Sequence, residues 1–309
     1  MKKDEIKIKK EITREPLTSD IIFKAVYGRD TPESKAALIA LLNLVLDLRD
    51  DPIVDITYKN PFSIDDCYEG KTIIMDIKAE TSRGELIDIE MQIGDLDVYV
   101  NRTVFYVSKQ LTEGLDRGQD YGKMKKSIVI SFVKGKLFPQ EIPFHSVYTL
   151  RERNSLKELS DIMELHYIEL DKIRRDGMQL SEMSDLEQLG AYMKCSGNPE
   201  EKAYVEELVK KGDEVIGMTD TVLKKISEED KLRELRIARE KWEMWVMLER
   251  TAGYDNGKAD GKIEGIREGK IEGKIEGARE IAANFKKAGI DIEVIAANTG
   301  LSKEEIEQL

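Results

Sequence analysis

The sequence predicts an α/β protein, with a sheet flanked by helices and a helical extension at the C-terminal end. Three observations predict it. Hydrophobicity alternates with a period of two from Val54 to Ile93, compact apolar runs at Lys126–Val133 and Met163–Leu170 read as buried strands, and the segments before, between and after these carry helical spacing. The 309 residues are 40% hydrophobic and 36% charged, a balance that suits a globular core with a charged exterior.

Taken in order, residues 1–18 read as an irregular, charged lead-in. Ser19 and Asp20 offer N-cap chemistry for a helix through Ile21, Phe23, Lys24 and Val26. Pro32 starts a second helix, apolar nearly all round from Ala36 to Leu46 and therefore expected to be buried. In the next stretch the apolar rows are Ile73, Met75, Ile77, Ala79 and Ile87, Ile89, Met91, Ile93. Their alternates include Asp76, Lys78, Glu80, Asp88, Glu90 and Gln92. Two half-buried strands follow from that alternation. A three-residue loop, Ser82-Arg83-Gly84, pairs Thr81 with Glu85 and puts Gly84 where a left-handed residue is wanted. Asp76 then faces Glu90 across the hairpin, Lys78 faces Asp88 and Glu80 faces Leu86.

From Asp95 to Leu115 the spacing is helical. Val100, Val104, Val107, Leu111 and Leu115 form an apolar stripe, and Tyr99, Arg102, Tyr106 and Lys109 a basic, aromatic face, with Gly118 as the stop. From about residue 174 to 250 the pattern is helical and charged. Ser227 is read as the cap of a long helix, and Trp242 and Trp245 as its core-packing residues. Seven glycines then recur every fourth residue from Gly253 to Gly277. They fit either a loose linker or a helix whose glycine stripe lies against a partner. Residues 278–309 read as short helices broken at Gly289 and Gly300, with helix-turn-helix spacing but an acidic last helix that suits a packing module better than DNA.

Several functions are excluded. The longest apolar run is too short to span a bilayer, and the N-terminal ten residues have no apolar core of a signal peptide, so a cytoplasmic protein is expected. Two cysteines and two histidines, scattered in sequence, supply neither a disulfide framework nor a zinc site. A metal would be held by oxygen, which selects magnesium or manganese. Of the net charge of −12, residues 1–150 carry −3 (22 Lys and Arg against 25 Asp and Glu) and residues 151–309 carry −9 (27 against 36). Such a chain is no sequence-independent DNA coat, although one local basic face remains available.

The polar face of the hairpin is the best candidate for chemistry. Like charges directly opposite one another, as expected for Asp76 and Glu90, are destabilising unless a divalent cation sits between them. The following helix would bring Arg102, Tyr106 and Lys109 to a phosphate backbone beside that cation.

Asp20 with Phe23 and Lys24, Met75-Asp76-Ile77, Asp88 through Gln92, Arg102 with Tyr106, and Gly118 with Tyr121 together resemble the PD-(D/E)XK nuclease family transposases, also called recombination-promoting nucleases or Rpn proteins. The resemblance spans roughly residues 15–250. It implies a restriction-endonuclease-like mixed sheet flanked by helices, and magnesium-dependent DNA cleavage in which manganese would serve. By position it makes Asp76 the metal-binding aspartate, Glu90 its acidic partner and Gln92 the residue at the motif's lysine position. Met91 would add its backbone carbonyl to the metal, with Asp20 and Lys78 as auxiliaries. Glutamine has no proton chemistry near neutral pH and can only orient water by hydrogen bonds. The chain would then divide into a nuclease domain over 1–250, extended by helices from about 174, and a glycine-repeat helix with a small helical tail over 251–309. Two functions compete: a DNA endonuclease of recombination, mobile elements or phage defence, and a catalytically weak or inactive relative acting as a DNA-binding or regulatory homo-oligomer joined through 253–277.

Overall fold

The structure, a computed structural model, describes residues 14–62, 76–94, 96, 98–115, 118, 120–174 and 178–309. Ile73, Ile74, Met75, Asp95 and most of the lead-in lie outside these. The chain forms two compact units, Met1–Ala238 and Arg239–Leu309.

The first unit is built on a mixed sheet of six strands: β1 (Ile56–Tyr58), β2 (Ile77–Thr81), β3 (Leu86–Ile93), β4 (Ser127–Lys134), β5 (His145–Arg151) and β6 (Glu158–Glu169), in the order β1-β2-β3-β4-β6-β5. β3, β4 and β6 run parallel and the remaining pairs antiparallel. The central β4 is buried along its first seven residues, as a strand covered on both faces must be. The expected α/β architecture is therefore present.

The β2–β3 hairpin has the expected register. Ile77 pairs with Ile89, Lys78 with Asp88, Ala79 with Ile87 and Glu80 with Leu86. Thr81 N–H donates to the Glu85 carbonyl at 2.9 Å, and Gly84 has φ of +87°, the left-handed conformation this loop requires. The alternation places Ile77, Ala79, Ile87, Ile89 and Met91 in the main core. There they meet α1 (Asp20–Tyr27) and α2 (Pro32–Val45), and the core continues into α4 (Asp185–Cys195), α5 (Lys202–Lys211) and α6 (Glu214–Ser227). Each fully buried isoleucine of this set contributes on the order of 2 kcal/mol. Thr31 caps α2 through its hydroxyl, with Pro32 in the first turn where its missing N–H costs nothing.

The opposite face of the sheet is covered by α3 (Tyr99–Glu113). A second core there joins Tyr99 and Val107 to Val129, Val133, Leu165 and Tyr167. This corrects the expected stripe. The buried line of α3 is Tyr99, Thr103 and Val107, while Val104 is exposed, and the helix ends at Gly114 rather than Gly118. Tyr99 and Thr103 can be buried because their hydroxyls are partnered: Tyr99 donates to Glu90, and Thr103 Oγ1 lies 2.5 Å from Tyr167 Oη.

Other expectations change too. Residues 14–18 are no loose lead-in. Leu17 is fully buried, Arg14 pairs with Asp220 and Glu206, and Glu15 with Arg233 and Arg236. Ser227 does not cap the long helix. It ends α6, its hydroxyl donating to the Leu223 carbonyl at 2.6 Å, and α7 (Asp230–Lys287) begins three residues later. The two histidines are not scattered in space. His145 on β5 and His166 on β6 are 3.1 Å apart through Nε2 and Nδ1, and His166 Nε2 lies 3.2 Å from Glu164.

The second unit comprises the rest of α7 with α8 (Ile292–Thr299) and α9 (Lys303–Glu307). Ala282, Ile295 and Ile306 make a small core, joined by Phe285, Ile292, Ala296 and Leu301, which fits a packing module. Trp242 and Trp245 are not core residues: they are 55% and 56% exposed on α7. Arg239 lies over the Trp242 ring at 5.4 Å. The chain is helical through the seven-glycine repeat. Among the described residues no helix is long and apolar enough to cross a membrane.

Candidate active site

Asp76 immediately precedes β2, and two side chains fix its main chain. Lys24 Nζ donates to the Asp76 carbonyl at 2.8 Å, and Asn60 Nδ2 donates to the same oxygen at 3.0 Å. Asn60 Oδ1 in turn accepts from Lys78 N–H at 2.7 Å, so one amide spans the start of the strand. Neither Lys24 nor Asn60 was expected to hold the site. Lys24 is 3% exposed, and burying a lysine needs strong acceptors of this kind.

From Asp76 the site follows the polar face of the hairpin. Lys78 Nζ stands 3.4 Å from Asp76 Oδ2 and 3.8 Å from Asp88 Oδ2. Burial opposes charge on Lys78, but the carboxylates of Asp88 and Asp76 outweigh it and raise its pKa. Asp88 is the residue the motif did not single out. Burial and then the neighbouring Asp76 push its carboxyl up to about 8. Asp88 sits on the same strand face as Glu90, opposite Lys78, which is the signal that could have marked it.

Glu90 is held by α3. Tyr99 Oη donates to Glu90 Oε2 at 3.1 Å, and Arg102 Nη2 lies 3.5 Å from the same oxygen. Burial raises the Glu90 pKa, against the opposing pull of Arg102 and Tyr99. Arg102 also donates to Gln92 Oε1 at 2.5 Å, and Gln92 Nε2 donates to the Gly94 carbonyl at 2.7 Å. Arg102 lies over the Tyr99 ring at 4.8 Å. Tyr106, half-buried on α3, has its hydroxyl pKa raised by burial and by the nearby Glu90 carboxylate. The site thus brings together Asp76, Lys78, Asp88, Glu90, Gln92, Arg102 and Tyr106.

The other expected residues are Met91, Asp20 and Lys109. Met91 alternates to the other face, its side chain in the main core. Asp20 accepts the Ile21 N–H at 2.7 Å at the start of α1. Lys109 is exposed and pairs with Glu113 at 3.6 Å. The pairing ends at Ile77 with Ile89, one residue short of Asp76 and Glu90, and these carboxylates take different partners, Lys78 for one and α3 for the other. Among the described residues, no three His, Cys, Asp or Glu side chains form a ready set of metal ligands.

Oxygen chemistry nevertheless fits a divalent cation at one place. Asp76 Oδ1 and Asp88 Oδ1 are buried without a hydrogen-bond partner. An unpaired buried carboxylate oxygen is costly, and a hard cation is the group that would satisfy it.

A model of the family described as PD-(D/E)XK nuclease family transposase matches residues 17–247. No curated protein and no solved structure matched the chain.

Proposed function

Because the chain belongs to the PD-(D/E)XK nuclease family transposases, whose nuclease-like α/β fold it has, we propose that it is a metal-dependent DNA endonuclease that hydrolyses phosphodiester bonds. The observation that carries the reading is the group Asp76, Lys78, Asp88, Glu90 and Gln92 on the polar face of the hairpin, in which one buried oxygen each of Asp76 and Asp88 has no hydrogen-bond partner.

Asp76 and Glu90 are the residues that would hold magnesium, or manganese in its place, with the Met91 carbonyl as a further ligand. A cation there would polarise the scissile phosphate and lower the pKa of the attacking water. The chain's own groups do the rest. Gln92, at the lysine position of the motif, orients water through its amide and moves no proton. Lys78 supplies the positive charge that glutamine lacks. Asp20 acts as an auxiliary from α1. Arg102, Tyr106 and Lys109 face the phosphate backbone from α3, where Arg102 can neutralise a phosphate oxygen while bracing Gln92. Cleavage of this kind would serve recombination, mobile elements or phage defence in the cytoplasm. The glycine face of α7 would join copies of the chain.

The test is nicking of supercoiled plasmid by the full chain with magnesium or manganese. Chelator, Asp76→Ala and Glu90→Ala should each abolish it while the circular dichroism spectrum stays unchanged. If the wild type nicks no DNA with either metal, the endonuclease reading is wrong. The protein is then a DNA-binding or regulatory member, a reading favoured by the use of both ends of the Gln92 amide within the chain.

A further inference from the structure

We propose that Asp88 is a metal ligand of this site, sharing one divalent cation with Asp76. The inference rests on the metal-dependent reading above and adds a ligand to which the family resemblance gives no role.

Asp88 lies on β3 directly across from Lys78 and on the same face as Glu90, two residues along. Its side chain is 2% exposed, and that of Asp76 is 7% exposed. Each carboxylate keeps one oxygen, Oδ1, without a hydrogen-bond partner. Their other oxygens share a single ammonium, Lys78, at 3.8 and 3.4 Å, which are ion-pair rather than close hydrogen-bond distances. Two buried acids thus share one half-exposed lysine, and each keeps a buried oxygen that a hard divalent cation could take.

Glu90 differs in this respect. Its Oε2 already accepts from Tyr99 and lies beside Arg102, so its charge is met by α3. Of the two acids on β3, Asp88 is the one with a buried oxygen that lacks a hydrogen-bond partner, and the lysine it faces is shared with Asp76. The Asp76–Asp88 pair therefore forms the first half of the cation site.

The experiment is manganese binding to the full chain by isothermal titration calorimetry, comparing wild type, Asp76→Asn and Asp88→Asn. Both variants should bind manganese at least tenfold more weakly. Asp88→Asn should also lose the manganese-induced rise in melting temperature, while its metal-free form melts no lower than the wild type. Asp88→Cys supplies a second readout: a thiolate in contact with the metal should shift preference toward cadmium over manganese by at least a hundredfold. It also serves if Asp88→Asn does not fold. Asp88 is only the structural partner of Lys78 if Asp88→Asn binds manganese like the wild type while Asp76→Asn does not. The same holds if Asp88→Cys leaves the metal preference unchanged. In either case the endonuclease reading stands and this inference falls. A wild type that binds no manganese and nicks no DNA overturns both.

Discussion

Arg102 donates to the Gln92 amide oxygen at 2.5 Å and stands 3.5 Å from a Glu90 carboxylate oxygen, so one α3 side chain holds two residues of the hairpin motif. The brace acts on the reacting geometry more than on DNA affinity. Arg102→Ala should therefore lower kcat by roughly 100-fold with a much smaller change in KM for DNA, the pattern of an interaction needed mainly in the transition state. The salt dependence of DNA binding should fall by no more than about one phosphate contact. A variant that raises KM alone and flattens the salt dependence would show that the guanidinium serves chiefly as a phosphate contact.

Glu169 and Lys172 make the second prediction. Glu169 is fully buried at the end of β6. It accepts from Leu137 and Phe138 N–H at 2.8 and 3.1 Å and pairs with Lys172 at 2.5 Å. Lys172 also donates to the Pro139 and Ile142 carbonyls at 2.8 and 2.9 Å, so the pair secures the loop after β4. Removing one member leaves an uncompensated buried charge. Glu169→Ala should cost about 3–5 kcal/mol in urea unfolding, and replacing Glu169 by Leu together with Lys172 by Met should restore part of it. A loss below about 1 kcal/mol for Glu169→Ala would mean the loop rearranges to hydrate the lysine.

The third concerns acid. His145 is stacked on His166, which bonds Glu164, which pairs with Lys126. The Glu164 carboxylate fixes the His166 tautomer, with the proton on Nε2, so Nδ1 accepts from His145. Burial and the neighbouring His166 push the His145 pKa down to about 4, from an ordinary value near 6.5. The unfolded chain thus holds the extra proton, and stability falls as pH drops from about 6.5 toward 4. The hydrogen bond from His166, followed by Lys126, overcomes burial and holds Glu164 down to about 2, so its contribution is lost only below about 4.5. His145→Gln should flatten the urea midpoint between pH 6.5 and 4.5 and leave the steeper loss at lower pH. Identical slopes in the two proteins would remove His145 as the cause.

What the sequence made legible was local. The β2–β3 register followed from strict alternation and one turn glycine, two signals confined to about twenty residues, and it put Asp76, Lys78, Asp88, Glu90 and Gln92 on one face. The rest depended on distant partners. Tyr99 and Thr103 read as polar, but their hydroxyls find Glu90 and Tyr167, and this turns the buried line of α3 away from Val104. Lys24 is one residue of a helix in the sequence, and only the fold brings its ammonium to the Asp76 carbonyl, 52 residues on. β5 is an edge strand with little apolar alternation, and its His145 meets His166 only through β-pairing. Asp88 was in view but unassigned, because a cross-strand lysine accounts for an aspartate on a solvated face, and only burial shows that the lysine is not enough.

The glycine repeat yields the last prediction. Each glycine inside a helix costs about 1 kcal/mol relative to alanine, so the seven between Gly253 and Gly277 make this part of α7 intrinsically weak. A Cβ built on Gly265, Gly269, Gly273 or Gly277 meets nothing within 4 Å, so alanine has room at all four. In an isolated helix the quadruple alanine variant should gain helicity at 222 nm and resist thermal unfolding of that segment. If copies of the chain associate through the glycine face, the same substitution pushes apart backbones that the glycines allow to approach. Light scattering with size exclusion would then show a smaller assembly than the wild type. We expect the second outcome, since the glycine stripe costs the helix stability and only close approach by another backbone returns it. Unchanged mass together with increased helicity would assign the repeat to spacing alone.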